Sequence, residues 1–273
     1  MNKTKILLLL SLTFLSCNEE VKKSYYQSGN PKQFDFYNSQ EILDSSIIYY
    51  DHYKHPVKKK LYLSDSTSYV KNCSLEGITT SEGLLNKQSN RIGKWRIFTK
   101  DTVKIFEYKN IRGEEYLNQS WIKNSQDDTI SGNYYLLQTK DTLNVNEFVT
   151  LRFLLKRPII SFNSELLLFL PKGNEKFSSD FSNENKIEVD TILSLKHDPL
   201  NNHLIDRPLN HMLMVNIEFT NPGIKQIRGI LKETEEINFN DSTVIKERNI
   251  YFDKTFVVRE TTVKSEKPAH NNI

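Results

Sequence analysis

The stretch DTLNVNEFVTLRFLLKRP sets Val149, Leu151, Phe153 and Leu155 at every second position, with Pro158 closing it. A period of two sends alternate side chains to opposite faces, so this segment reads as a strand with one buried face, and Pro158 limits how far it extends. HMLMVNIEFTNPGIKQIRGILKE repeats the pattern with Leu213, Val215, Ile217 and Phe219, then breaks at Asn221-Pro222-Gly223 before a second strand. Proline presets φ at the first central turn position and glycine accepts a positive φ at the next, so the expectation is a hairpin. ELLLFLPKG, a continuous apolar run ended by Pro171 and Gly173, and NIYFDKTFVVRE supply two further strands. The 15 Phe and 13 Tyr, with many Ile, Val and Thr, favour strands over helices along the whole chain. At 273 residues and 37% hydrophobic, the chain has material for one large or two ordinary domains and a sizeable core.

The first half is patterned differently. YYQSGNPKQFDFY and NRIGKWRIFTKDTVKIFEYKN each set aromatic-rich strands around a polar turn, the first at Gly29-Asn30-Pro31 and the second at Lys100-Asp101. Tyr25, Tyr26 and Gly29, then Gly93, Lys94 and Trp95 with Phe98 after them, resemble the repeat of the MORN-like family of bacterial exported proteins. That resemblance implies a meander of hairpins, since a repeat sheet buries its faces only against neighbouring repeats. VNIEFTNPGIKQIRGIL in turn looks like the closing hairpin of bacterial immunoglobulin-like domains, without the Cys and Trp hallmarks of antibody-type ones. The resulting expectation is an all-β chain with an N-terminal β-meander of hairpins over 25–125, an antiparallel β-sandwich over 132–262 and a polar tail over 263–273.

The leader narrows the compartment. Lys3 and Lys5 form a positive head and Ile6 to Leu15 an apolar run broken only by Ser11 and Thr13, the pattern of a secretory signal over 1–16. A membrane-spanning helix needs roughly 20 apolar residues, and this run stops at Cys17 before Asn18, Glu19 and Glu20. Phe14, Leu15, Ser16 and Cys17 resemble the lipobox of bacterial lipoproteins, with Phe in place of the usual Leu at its first position. The resemblance implies cleavage before Cys17, acylation of its thiol and amine, and a lipidated tether over 17–24. Each buried CH₂ contributes about 0.8 kcal/mol and stable anchoring takes more than one chain, so a multiply acylated Cys17 would hold the protein to a bilayer without any helix. Asn18-Glu19-Glu20 is similar to the acidic stretch behind the lipidated Cys of surface-exported lipoproteins in one Gram-negative group.

Residue types that carry chemistry are present but not grouped. Once Cys17 is acylated only Cys73 remains, so the mature chain forms no internal disulfide, and VKNCSLEG offers Cys73 no activating partner. His197, His203 and His211, with Asp198 and Asp206, crowd KHDPLNNHLIDRPLNH and are weak metal candidates. Their spacings match no helical ligand face, and the Pro and Asn content reads as a solvated crossover loop. His52 and His55 read as an exposed strand edge. Glu114-Glu115 and Asp127-Asp128 are adjacent, and strand neighbours face opposite ways, so neither pair converges on a glycosidic bond. Trp95, Trp121 and the Tyr pairs suit sugar stacking, but on a β fold they read first as core. No GxSxG elbow occurs.

Four triplets read Asp-Thr-aliphatic, at Thr102, Thr129, Thr142 and Thr191. They are similar to the O-glycosylation acceptor of the same Gram-negative group, making these threonines possible glycan acceptors. Turn-to-strand grammar explains them equally: Asp closes a turn and β-branched residues start a strand. With 37 basic against 34 acidic residues, nothing draws the chain to nucleic acid. The expected role is therefore a lipid-anchored outer-membrane protein of the cell envelope, non-enzymatic, without cofactor, meeting an unknown protein or glycan partner. An envelope polysaccharide hydrolase, a carbohydrate-binding module and a toxin-neutralising immunity-type lipoprotein are the alternatives.

Overall fold

A computed structural model describes residues 20–201, 208–239 and 242–260. The chain is all-β, with 17 strands and four single 3₁₀ turns among the described residues. It divides into two compact units, to Glu82 and from Gly83.

The first unit runs β1 (Glu20–Tyr25), β2 (Pro31–Tyr37), β3 (Leu43–Tyr49), β4 (Pro56–Ser64), β5 (Thr67–Cys73) and the start of β6 (Thr79–Asn86). Each of β1 to β5 pairs antiparallel with its successor, the meander expected from the sequence. The β1–β2 turn is closed by Tyr26 N–H donating to the Asn30 carbonyl, with Gly29 at φ +83°. Among the described residues only Ser46, Val57, Ser68 and Val70 are buried here. With so little core, cross-strand pairs supply the cohesion: the Phe34 ring meets Tyr25 at 6.2 Å and Tyr49 at 5.6 Å.

The second unit holds the rest of β6 and then β7 (Arg91–Phe98), β8 (Val103–Ile111), β9 (Glu114–Lys123), β10 (Thr129–Gln138), β11 (Thr142–Asn144), β12 (Phe148–Lys156), β13 (Glu165–Pro171), β14 (Val189–Ile192), β15 (Met212–Glu218), β16 (Gly223–Phe239) and β17 (Ser242–Arg259). β10 changes partner midway: Thr129 to Asn133 pair with β9, and Tyr134 to Gln138 pair with β12. Beyond β12 lies β15, the last strand of that sheet. The facing sheet has the order β11-β17-β16-β13-β14. Its one parallel pair is β11 with β17.

The two sheets share a core. Val149, Leu151, Phe153 and Leu155 of β12, with Leu213 of β15, pack on Leu166 and Leu168 of β13, Leu231 of β16 and Ile250, Phe252 and Phe256 of β17. Each of these is at most 2% exposed, so the alternation in the sequence reads out directly as a sandwich face. A second, smaller cluster sets Phe177 and Phe181 against Ile111, Ile230 and Tyr251.

One organisational expectation changes. The hairpin expected at Asn221-Pro222-Gly223 is an arch: β15 pairs with β12, while β16 pairs with β17 across 17 positions, from Gly223↔Val258 to Phe239↔Ser242. The turn residues do what their φ preferences demand, with Gly223 at φ +112°, but the strands they join lie in opposite sheets. The compact units part inside β6, and within the second unit β9 is locked to β17. Asn118 Nδ2 donates to the Tyr251 carbonyl at 2.9 Å, Tyr251 N–H donates back to Asn118 Oδ1 at 2.8 Å, and Tyr116 donates to the Asn249 carbonyl.

Candidate functional site

The arch leaves a cleft of about 840 Å³ at one margin of the sandwich. One wall is the part of β15 from Val215 on, with Phe219; the other is the first part of β16, from Ile224 to Arg228, and segments of 170–177 and 190–192 complete it, bringing the charged Glu175, Lys176 and Asp190. β15 alternates as the sequence predicts, with Met214, Asn216 and Glu218 exposed and Leu213, Val215 and Ile217 turned towards the core. Leu213 is fully buried, whereas Val215, Ile217 and Phe219 are only half-buried, because no strand lies beyond β15 among the described residues.

The polar groups of the far wall fall into two kinds. Arg228 is spent: its Nε donates to Asp253 at 2.9 Å, Nη1 to the Phe177 carbonyl at 3.2 Å and Nη2 to Gln226 at 2.8 Å. Lys225 lies two residues before Ile227 and so shares its core-directed face. It is half-buried in the cleft with no ion-pair partner among the described residues.

At the opposite end of the sandwich sits a polar cluster that sequence reasoning missed. Glu233, 0% exposed, accepts from Ile160 N–H at 2.8 Å, Ile159 N–H at 3.3 Å and Ser164 Oγ at 3.0 Å, and faces Arg248 at 3.7 Å. Arg248 also donates to the Asn118 carbonyl at 2.8 Å and to Asn133. His211 Nε2 lies 3.2 Å from Ser164 Oγ. An Nε2–H tautomer donates there, and the one Ser164 hydroxyl proton lies between two acceptors, the Ser161 carbonyl at 2.7 Å and Glu233 at 3.0 Å. Ser164 is itself 0% exposed, so this Ser, His and Glu meet no substrate; they fasten the 159–164 loop to β16.

Burial holds His211 below the ordinary imidazole value, against the opposing pull of Glu233. The unfolded chain therefore takes up this proton first as pH falls through about 6.5. The stability that neutral His211 brings is complete above that value and is lost towards its depressed folded value. The slope is at most about 1.4 kcal/mol per pH unit. Urea midpoints at pH 7.5 and 5.5 should differ more for the wild type than for His211→Gln; equal differences would remove this role.

The structure separates the residues singled out from sequence. Cys17 and His203 lie outside the described residues. His197 faces Glu165, which also accepts from Ser194 at 2.7 Å, while His211 is buried on Ser164, so these two candidate metal ligands have different partners. No group of three metal-ligating side chains occurs among the described residues. Cys73 is half-buried on β5. Trp95 is core, its Nε1 donating to the Leu84 carbonyl at 2.8 Å, and Trp121 is half-buried against Tyr134 at 5.6 Å with Lys94 above it. Glu115 is bound by Arg91, which holds its carboxyl below the usual carboxylate range. Asp127 and Asp128 lie on the β9–β10 turn, not on a strand, with Asp127 at φ +66° and 2.9 Å from Lys123. Thr129, Thr142 and Thr191 are exposed, whereas Thr102 is half-buried with its hydroxyl 2.8 Å from that of Thr99.

Fold and cleft define an all-β protein with a sandwich in which, among the described residues, no strand lies beyond β15. No protein-family model matches the chain, and no curated protein and no solved structure matches it.

Proposed function

We propose that this is a lipid-anchored outer-membrane protein of the cell envelope, held by acyl chains on Cys17, whose β units act by contact with a partner rather than by catalysis. The observation that carries the reading is the leader: Lys3 and Lys5, ten residues from Ile6 to Leu15, then Ser16-Cys17 and the acidic Glu19-Glu20. The cleft beside β15 supports the contact role, since it joins an apolar floor of Val215, Ile217, Phe219 and Ile227 to charged groups of both signs, a mixture that suits a ligand.

In a labelled-palmitate experiment, wild-type protein should carry label and migrate as the cleaved form, and Cys17→Ala should lose all label and accumulate as precursor. Normal labelling of that variant would refute the anchor. The intact mass of the labelled protein then reports glycans: mass beyond protein plus acyl chains, removed by substituting Thr129, Thr142 and Thr191, would mark them as acceptors.

A further inference from the structure

We propose that the first unit lies on the bilayer that holds Cys17, with the strand face bearing Lys23, Phe34, Leu61 and Tyr69 against the phospholipid headgroups. The inference rests on the acyl anchor proposed above and names the surface that meets the membrane.

Chain length picks the occupant. β1 begins at Glu20, three residues after Cys17, and an extended residue spans at most about 3.6 Å, so the sheet starts within about 11 Å of the anchored residue. The headgroup layer is itself about 5–7 Å thick on each side of the hydrocarbon core. The anchor therefore keeps β1 at the membrane surface, whatever else the protein meets.

Strand register shows which face turns to it. Lys23, Phe34, Ile47, Lys59 and Lys71 stand in one row across β1 to β5, and Val21, Phe36, Ser45, Leu61 and Tyr69 form the next row on the same face. Tyr25 and Tyr49 extend that face, both packed on Phe34. The opposite face has the rows Lys22, Asp35, Ser46, Lys60 and Val70, and Ser24, Gln33, Ile48, Lys58 and Asn72. Charge divides the two little: lysines stand on both, Glu82 lies 3.5 Å from Lys71 beside the first, and Glu20 and Asp35 belong to the second. Apolar area divides them, since rings and aliphatic chains fill most of the first face and hydroxyls and amides much of the second. An apolar sheet face is stable when another layer covers it. Among the described residues of this unit none does: Tyr25 is 54% and Leu61 42% exposed, and Phe34, Phe36, Tyr49 and Tyr69 are only half-buried. Tyrosine with lysine suits the water–lipid boundary, where rings and lysine stems enter the apolar side and ammonium groups stay at the phosphates. Lys23 and Lys71 already lie along rings, 5.5 Å over Phe34 and 5.8 Å over Tyr69.

The test is a lysine footprint on the full acylated chain, added to preformed vesicles of phosphatidylethanolamine and phosphatidylglycerol and treated with a membrane-impermeant acylating reagent. Alternation makes neighbours the control: Lys59 is on the membrane face, and Lys58 and Lys60 are on the other. The exposures alone make Lys59 the fastest of the three to react, because it is exposed and the other two are half-buried. On vesicles Lys59 should instead react several-fold more slowly than either, and Lys23 more slowly than Lys22. Tyr25→Asp combined with Leu61→Asp, both at exposed positions, should keep the wild-type melting temperature and restore Lys59 as the fastest. Palmitate label and flotation of the same samples report the anchor separately. Flotation with Lys59 still fastest, shielding of Lys58 and Lys60 instead, or a variant footprint equal to the wild type would each overturn the proposal with the anchor intact. So would cross-linking of Lys59 to the Lys59 of a second copy, which would assign the face to self-association. A wild type that neither floats nor takes up label would overturn the anchor and this surface together.

Discussion

Replacing Glu233 by Leu should lower the stability of the second unit by about 3–5 kcal/mol, the usual consequence of removing one member of a buried ion pair. Glu233 is opposite Arg248 in the β16–β17 ladder; Glu233 is fully buried, the Arg248 side chain is only 14% exposed, and no other ion pair to Arg248 occurs among the described residues. Leucine fills the volume but accepts no hydrogen bond, so Arg248 keeps its charge without its carboxylate, and Ile160 N–H and the Ser164 hydroxyl lose an acceptor. Burial already disfavours the charged guanidinium, which is why its pKa is held below the ordinary arginine value. The double variant Glu233→Leu with Arg248→Met removes the stranded charge and should recover part of the loss. It should not recover all of it, because the Asn118 carbonyl and Asn133 side chain lose the donors that Arg248 gave them. Urea denaturation of the two single variants and the double closes the cycle. A loss under about 1 kcal/mol for Glu233→Leu would mean that solvent reaches Arg248 and that the pair is not a clamp.

That pair marks a boundary of what sequence shows. Phe153 and Leu151 were legible because period-two alternation is a property of neighbours along the chain, and burial follows from it whatever strand lies next to them. Glu233 sits in LKETEE, where five consecutive polar residues read as a solvated face. Its burial depends on a partner 15 residues on, in β17, and pairing at that range is set by which strands meet. The same cause explains the arch at Asn221-Pro222-Gly223. The turn chemistry is correct locally, yet β15 takes β12 as its partner and β16 takes β17. His211 was read as part of a solvated loop because Pro and Asn surround it, and it is buried only because the 159–164 loop folds over from β12. That β15 ends its sheet among the described residues is visible in neither pattern nor composition; it follows from strand order alone.

Gly132→Ala should cost on the order of 3 kcal/mol or more, and Gly113→Ala about 1 kcal/mol or less, although both glycines have positive φ. Gly113, at φ +88°, has open space where a Cβ would stand, so the substitution carries only the backbone preference. Gly132, at φ +131°, lies in a region that other residues hardly enter, and its Cβ would stand 2.7 Å from Trp121 Cα and closer still to the Ser120 carbonyl oxygen. Both neighbours are backbone atoms of β9, so no rotamer change relieves the contact. Relief requires β10 to move away from β9 at the point where β10 exchanges β9 for β12, just after the register shift between Thr129 and Ser131. This bulge lets one strand serve both the hairpin meander and the sandwich, and displacing it would also pull Asn133 from Arg248 and from the Arg157 carbonyl that its Nδ2 reaches at 2.6 Å. The two substitutions therefore separate strain in a turn from strain at a junction. Thermal melting should show the Gly132 variant lower by several degrees and the Gly113 variant close to wild type; equal shifts would mean that β10 bends freely and that the junction does not depend on glycine.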